Sequence, residues 1–350
     1  MKMQKTILLA LLLSGLFCAC SDDSDPEEIL PELPEHIVDH AQDVTIPDFV
    51  SDELLPMSKF AKTAEFVELE LPGDKLYSRK MEITNRGEAL ICVNDEVVRF
   101  GIDGKKLNSY GFAGQKIIDF DYDPYNDRLL INSQNENNTA TLITYDMNGE
   151  EISRRANHVF NHSFGVLDAS HLVFYGHDLI SGFIYVVTDM DIATKYSYST
   201  LPEENAALGI TTIRRQNRCL YAYCRLTDTP YRITADGLEL LYRFKYTGSG
   251  NWGMSLYPES RKDAYCSDFW QTDHYLFFAL VDSNSRVYLS VKDLKTKAFY
   301  SGTSLDDDVS GASFPYVPYL DFQQQGDKLY ILTFDDTDEV LRHYLYTCTL

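Results

Sequence analysis

The fold is indicated most clearly by residues 97–127, which read VVRFGIDGKKLNSYGFAGQKIIDFDYDPYND. An alternating strand ends there at Asp103-Gly104, a dipeptide that favours a tight hairpin turn. Residues 105–110 form a second strand, and a corner at residues 111–114, which contains two glycines, leads into a third. A strand, a tight turn, a strand, a glycine corner and a new strand are typical of the junction between two blades of a β-propeller.

The same unit recurs along the chain. The turn positions Gly104, Gly149, Ala193 and Gly237 are about 44–45 residues apart, which matches the repeat length of four-stranded blades. No segment has the length and the 3.6-residue period of a core helix, and the constant four-strand period argues against a pair of β-sandwiches. The expected fold is all-β, with six blades at residues 81–110, 117–155, 165–199, 209–246, 264–302 and 319–348.

The predicted sixth blade has only three strands in its own stretch of chain. Residues 65–71 alternate like a strand and precede the first blade, so we expect them to supply the fourth strand. This pairing would close a six-bladed propeller of residues 65–350 without a covalent link. Closure removes two exposed sheet edges, which are otherwise templates for aggregation.

The first residues have the features of a lipoprotein signal peptide, predicted here as residues 1–19. Two lysines precede an apolar run at residues 7–17 that is too short to span a bilayer, and small Ala19 lies directly before Cys20. Cleavage before Cys20 would leave it as the lipidated first residue. The acidic run at residues 21–25 resembles the export signal of surface-exposed lipoproteins in Bacteroidetes. We therefore expect an outer-membrane lipoprotein at the cell surface, with the periplasmic face as the alternative.

Between the signal peptide and the first predicted strand, residues 20–64 are acidic and rich in proline. Such a composition buries too little apolar surface to offset the entropy of ordering, so we expect a flexible tether. Two more apolar stretches within it, residues 46–50 and 54–60, are expected to pack along the outside of the propeller.

The first blade junction also carries a family resemblance. The segment VVRFGIDGKKLNSYG, followed after a further glycine by IIDFDYDPYNDRLLI, resembles the six-bladed β-propeller lipoproteins of Bacteroidetes, a group similar to NHL-repeat and TolB-like propellers. The resemblance covers residues 65–350 as architecture and residues 97–131 as motif. It implies a fold and a cellular address more than an activity. Many members have a longer, basic corner where this chain has only residues 112–115, so no function of that loop is carried over.

Charge and cysteine content exclude some partners. The formal net charge of −22 argues against nucleic acid, because phosphate neutralisation requires clustered lysine and arginine. Five cysteines follow Cys20, an odd number at wide spacing without a Cys-x-x-Cys pair, which indicates neither a disulfide framework nor a zinc site. These five are Cys92, Cys219, Cys224, Cys266 and Cys348.

The candidate ligand-binding residues lie where loops converge on one face of a propeller. An insertion at residues 247–261 reads TGSGNWGMSLYPESR and contains Trp252 and Tyr257, which would stack on a sugar ring or grip a peptide. The alternative is a lid that plugs the channel, with Trp252 as filler. Asp268 and Trp270, at the start of blade five, are expected to face the central channel.

A catalytic alternative uses dispersed histidines and carboxylates. His158 and His162 are four residues apart in a corner before a strand, and His177 lies in a loop of the same blade. Together they would suit general acid–base chemistry or a metal, whereas the plainer interpretation is that they are ordinary loop histidines.

The acidic corner before blade six offers oxygen ligands to the same alternative. Asp306 and Asp308, together with Asp263, would form a Ca²⁺ site, although no EF-hand-like spacing is present and a solvated acidic loop is the plainer interpretation.

The function expected from the sequence is a monomeric, surface-anchored binding module without a cofactor, which engages a glycan or a protein partner of the outer membrane. The alternative is a Ca²⁺- or Zn²⁺-dependent lactonase-, lyase- or glycosidase-like propeller. The chain has no Gly-x-Ser-x-Gly elbow, no His-Glu-x-x-His and no glycine-rich phosphate loop, which argues against several common enzyme classes. It does not exclude propeller enzymes whose site residues are spread over several blades.

Overall fold

The computed structural model describes residues 37–71, 80–111, 114–157, 163–178, 182–199, 211–224, 228–247, 265–311, 321–335 and 342–350. Within these ranges the chain forms β-strands joined mostly by short turns, and it contains no α-helix. None of the described segments is a helix that could cross a bilayer. The first described elements are β1 (Ile37–Ile46), β2 (Leu55–Pro56), a 3-10 turn (Met57–Lys59) and β3 (Thr63–Glu68).

Blades one to three follow, and in each the spatial order of the four antiparallel strands is their order in the chain. Blade one contains β4 (Met81–Ile83), β5 (Ala89–Val93), β6 (Glu96–Phe100) and β7 (Lys106–Tyr110). Blade two contains β8 (Gln115–Asp123), β9 (Arg128–Asn135), β10 (Ala140–Asp146) and β11 (Glu151–Asn157). Blade three contains β12 (Ser163–Val166), β13 (His171–Asp178), β14 (Gly182–Asp189) and β15 (Thr194–Ser199).

Blades four to six complete the ring, and six blades of antiparallel strands confirm the expected propeller. Blade four contains β16 (Thr211–Gln216), β17 (Cys219–Cys224), β18 (Thr229–Thr234) and β19 (Gly237–Tyr246). Blade five contains β20 (Tyr265–Gln271), β21 (Tyr275–Val281), β22 (Val287–Asp293) and β23 (Phe299–Gly302). After β24 (Leu305–Asp306), blade six contains β25 (Asp321–Gln325), β26 (Lys328–Asp335) and β27 (Arg342–Thr349).

The predicted closure between the two ends of the propeller is confirmed. Strand β3 pairs antiparallel with β27, with Phe66 opposite Tyr346, and so forms the outermost strand of blade six. The edge that β27 would otherwise expose is thereby paired. The sixth blade is consequently built from two parts of the chain that are far apart in sequence.

The segment before β3 lies as a strap along blades four to six. The flexible tether predicted for residues 20–64 therefore extends too far toward the C-terminus. Strand β1 pairs parallel with β19 and makes blade four five-stranded. Phe49 packs on Tyr288 of blade five, and β2 pairs with β24. The packing expected of residues 46–50 and 54–60 is confirmed, because Phe49 and Leu55 are fully buried.

Six hydrophobic clusters form the core, one between each pair of neighbouring blades. Alternation along the strands explains them, because successive side chains point to opposite faces of a sheet. In β9, for example, Leu129 packs against blade one and Leu130 packs against blade three. Each blade is therefore covered on both faces, which is why nearly every strand needs apolar residues at adjacent positions.

The propeller has two faces that differ in their connections. Tight turns join the first to the second strand of each blade, and the third to the fourth strand of blades one to five; this side is called the turn face. The connections between blades, and between second and third strands, lie on the opposite side, called the loop face. Most loop-face connections, including the insertion at residues 247–261, fall largely outside the described residues.

Candidate functional site

The innermost strands of the six blades, β4, β8, β12, β16, β20 and β25, surround the central channel. Their polar side chains form one network of charges and amides, most of it buried. Its main members are Lys80, Glu82, Asp119, Asp121, Arg214, Arg215, Asp268, Asp321 and Gln323.

Carboxylates and an amide on one inner strand accept backbone N–H groups of the next strand. Asp119 Oδ2 accepts the N–H of Phe164 at 2.8 Å, and Asp121 Oδ2 accepts the N–H of Val166 at 2.5 Å, which joins blade two to blade three. A buried backbone N–H that faces the channel has no neighbouring strand to bond, so it needs such an acceptor.

The same spacing joins blade six to blade one. Asp321 Oδ2 accepts the N–H of Met81 at 2.7 Å, and Gln323 Oε1 accepts the N–H of Ile83 at 2.7 Å. Two acceptors that are two residues apart thus bond two donors that are two residues apart. Both pairs follow the period of a strand, because alternate residues point to the same side.

Lys80 provides one of the cations of the network. Its Nζ lies 3.2 Å from Asp119 Oδ1 and 3.7 Å from Glu82 Oε1. It also lies over the rings of Phe120 and Phe164, at 5.5 and 5.8 Å from their centroids. Burial alone would lower the pKa of Lys80, but the neighbouring carboxylates outweigh burial and raise it. Lys80 therefore stays charged.

Arg215 lies between the carboxyl groups of Asp121 and Glu82. Its Nη2 donates to Asp121 Oδ2 at 2.6 Å and to the carbonyl of Val166 at 2.7 Å, and its Nε lies 3.9 Å from Glu82 Oε2. Burial and the negative charge of Asp121 raise the pKa of Glu82 well above its usual range, although Lys80 and Arg215 partly oppose them. Glu82 therefore holds its proton more tightly than an ordinary glutamate does.

Arg214 points into the other half of the channel and forms a second ion-pair group. Both of its terminal nitrogens donate to the carboxylate of Asp268, and its Nε lies 3.3 Å from Asp321 Oδ1. The guanidinium carbon lies 4.6 Å from the ring centroid of Trp270, whose indole N–H donates to Asp321 Oδ1 at 2.9 Å. The carboxylates outweigh burial and raise the pKa of Arg214, so it remains a cation.

The residues expected to bind ligand are only partly described. Asp268 and Trp270 lie on β20, where Asp268 is engaged by Arg214, and Trp270 is buried against Phe322. Both therefore connect blade five to its neighbours, and their role in ligand binding stays a prediction. Trp252 and Tyr257 lie outside the described residues.

The histidines of the catalytic alternative cannot be assembled from the described residues. His158 and His162 lie outside them, and only the backbone of His177, at the loop-face end of β13, is described.

The acidic corner lies away from the channel. Asp306 belongs to β24, which pairs with β2 of the strap, and Asp308 accepts hydrogen bonds from the backbone and hydroxyl of Ser58. Asp263 lies outside the described residues. Within the described part of the chain, no group of three or more histidine, cysteine or acidic side chains is arranged to hold a metal ion. The cysteines described there, Cys92, Cys219, Cys266 and Cys348, form no disulfide.

Sequence reasoning missed most of the channel network. A signal was present in β8, where acidic residues alternate with apolar ones in the series IIDFDYD. Acidic residues inside a buried strand are unusual unless they are paired. Their partners could not be identified in advance, because Arg215 is 94 positions from Asp121.

Comparisons with known proteins support the fold. No family model and no curated protein matches the chain. Among solved structures, a putative exported protein from Bacteroides fragilis is similar, with a TM-score of 0.64 and 13% identity over 88% of this chain and 100% of that one. The C-terminal WD40 domain of Sif2 has a TM-score of 0.47 and 11% identity over 89% of this chain and 100% of the domain. At 13% identity, the likeness to the Bacteroides fragilis protein shows the fold alone.

Proposed function

We propose that this protein is a non-catalytic binding module that is held at the outer surface of the cell by a lipid on Cys20. The observation that carries this proposal is the use of the channel charges. Carboxylates that a propeller enzyme would need for chemistry are engaged in ion pairs and in backbone hydrogen bonds between blades. They act as fixed connections of a rigid scaffold, which is the property that a recognition surface requires.

The buried acid in the channel does not favour catalysis. Glu82 has a raised pKa, which is common for a general acid, but only 1% of its surface is exposed. A general acid must come within hydrogen-bond reach of its substrate. Its neighbour Lys80 pairs with Asp119, and Asp121 pairs with Arg215, so the perturbed pKa of Glu82 follows from a structural ion-pair network.

The ligand proposed for the loop face is a glycan or a protein partner. The insertion with Trp252 and Tyr257 is the segment that extends the four-strand repeat, and long insertions in compact domains are often functional. Aromatic side chains supply large contact area with one polar end, which suits both sugars and peptides.

Thermal unfolding of the mature protein with xylan, arabinan, pectin and mucin glycans tests this proposal. A bound glycan stabilises the folded state by about 2.7 kcal/mol at a hundredfold excess over Kd. We expect one of these glycans to raise the melting temperature of the wild type and of Phe66→Ala, an exposed aromatic on the outer edge, but not of Trp252→Ala. Cleavage of any of these glycans by the wild type would overturn the non-catalytic assignment.

A further inference from the structure

A cavity of about 170 Å³ lies at the turn-face end of the central channel. Blades one, two, four and six contribute its walls, and all ten lining residues are described. They are Ile83, Asn85, Pro124, Arg215, Asn217, Arg218, Gln323, Gln324, Gln325 and Gly326.

The cavity exists because blades four and six bond to each other directly at this end. The side-chain amide of Gln216 donates to the carbonyl of Phe322 at 2.8 Å and accepts the N–H of Gln324 at 2.6 Å. The N–H of Asn217 donates to the carbonyl of Gln324 at 2.7 Å. These bonds bring the turn of blade four beside that of blade six and leave a space above them.

The charge of the cavity lining is opposite in sign to that of the protein as a whole. The chain has a formal net charge of −22, yet no aspartate or glutamate lines this cavity. Two guanidinium groups and five side-chain amides line it instead. Guanidinium groups bind carboxylates and phosphates, whereas amides both donate and accept and therefore match hydroxyl groups.

Arg215 makes the buried part of the wall favourable for an anion. It is 3% exposed, and its Nη1 forms no hydrogen bond within the described part of the protein. Its ion pair with Asp121 uses Nη2, so Nη1 stays available to an acceptor. A buried polar group without a partner is costly, and an acceptor on a ligand would offset that cost.

In the outer part of the cavity wall, two polar side chains are available to a ligand and two are already bonded within the protein. Arg218 is exposed and forms no ion pair with the described residues, and the side chain of half-buried Gln325 likewise has no hydrogen-bond partner among them. Gln323 and Gln324 are already held by bonds to Ile83 and to the turn of blade five. The site thus combines preorganised amides with two groups that are available to a ligand.

The size of the cavity limits the ligand to a small molecule. A space of about 170 Å³ suits a small molecule such as one sugar ring, and not a polymer. No atom lies within 4 Å of the position that a Cβ on Gly326 would take, so the space is open on that side. Ile83 and Pro124 are the apolar side chains of the lining.

We propose that the turn-face cavity binds one acidic monosaccharide, with its carboxylate directed to Arg218 and Arg215 and its hydroxyls bonded to the side-chain amides of Gln325 and Asn85. Inorganic phosphate fits less well, because it offers mostly acceptors and would leave the amide oxygens of Asn85 and Gln325 without donors. The site lies on the face opposite the loop face. It is therefore independent of the proposed glycan contact at Trp252.

Isothermal titration calorimetry of the mature protein with glucuronate and galacturonate tests the proposal, with glucose and inorganic phosphate as comparison probes. We expect one of the two sugar acids to bind, and each comparison probe to bind at least tenfold more weakly. Arg218→Ala removes the exposed cation. Gln325→Glu adds a negative charge, the same sign as the ligand carboxylate, at nearly constant side-chain shape. Each variant is expected to weaken binding of the sugar acid at least tenfold.

Lys328→Ala is the matched control, because it removes the same unit of charge next to the turn of blade six without lining the cavity. This variant should bind like the wild type. Equal loss in Lys328→Ala would show a general charge effect and overturn the proposal. Phosphate that binds as tightly as the sugar acid, or folded protein that binds neither sugar acid, would overturn it as well. Trp252 is not among the lining residues, so loss of glycan binding in Trp252→Ala does not bear on this site.

Discussion

Asp321 and Met81 are 240 positions apart, and the carboxylate of Asp321 accepts the backbone N–H of Met81 at 2.7 Å. The bond joins the inner strand of the last blade to the inner strand of the first. Together with the outer pairing of β3 and β27, it closes the ring at its centre as well as at its rim. The carboxylate that makes this bond also receives Arg214 and the indole of Trp270.

Loss of the Asp321 carboxylate should be strongly destabilising. Asp321→Ala leaves Arg214 with one fewer counter-charge and leaves the N–H of Met81 without an acceptor. Breaking a buried ion pair from one side typically costs about 3–5 kcal/mol. Urea unfolding followed by tryptophan fluorescence measures the change. As a control, Asp103→Ala at the exposed pair with Lys105 should leave the midpoint nearly unchanged, and equal midpoints for both variants would contradict the closing role.

The strap is expected to contribute to the stability of the propeller through its aromatic anchors. Phe60 is 2% exposed, and its ring centroid lies 5.1 Å from that of Phe277 in blade five. Phe60→Ala opens a cavity there and should lower the free energy of unfolding by about 3–5 kcal/mol. Phe66→Ala, at a ring that is 43% exposed, should cost far less. Thermal unfolding compares the two variants. A loss in Phe60→Ala as small as that in Phe66→Ala would mean that the strap is dispensable.

The stability of the protein should fall as pH rises through the raised pKa of Glu82. The folded state keeps the Glu82 proton above pH 4.5, the usual value of such a group, whereas the unfolded chain has released it. Because the folded state then binds more protons, the free energy of unfolding decreases with pH over that window. The groups that face Glu82 are Lys80, Asp121, Arg215 and Gln323.

Glu82→Gln removes this titration and should flatten the dependence. Urea midpoints of wild type and variant between pH 5 and pH 9, a range chosen on this linkage argument, provide the measurement. Asp103→Ala serves as a control that leaves the channel unchanged. An unaltered slope in Glu82→Gln would show that another group dominates.

Lipidation of Cys20 is tested by its own substitution. Cys20→Ala should abolish incorporation of radiolabelled palmitate and move the protein from the membrane fraction to the soluble fraction, because the acyl chains supply the membrane affinity. Cys18→Ala is the matched control and should leave both unchanged. Digestion of intact cells with added protease then distinguishes the outer surface from the periplasmic face. Palmitate incorporation into Cys20→Ala would contradict the assignment.

The position of the strap shows where sequence reasoning reached its limit. Strand β1 was not predicted, because most of its side chains are exposed and its charged sequence lacks a regular alternation. Its existence depends on a parallel partner, β19, that lies about 200 residues away. By contrast, residues 65–71 alternate clearly, and their pairing with blade six could be predicted from that pattern and from the missing strand.

The sequence by itself determined the number and kind of blades, because local alternation and turn residues repeat at a constant spacing and each blade forms from adjacent segments. Only the tertiary structure decided which charges meet in the channel. Asp121 finds Arg215 in blade four, and Asp321 finds Met81 in blade one. Such contacts depend on ring closure, which brings together residues whose separation in the chain carries no local pattern. The same closure creates the turn-face cavity, whose walls come from four blades.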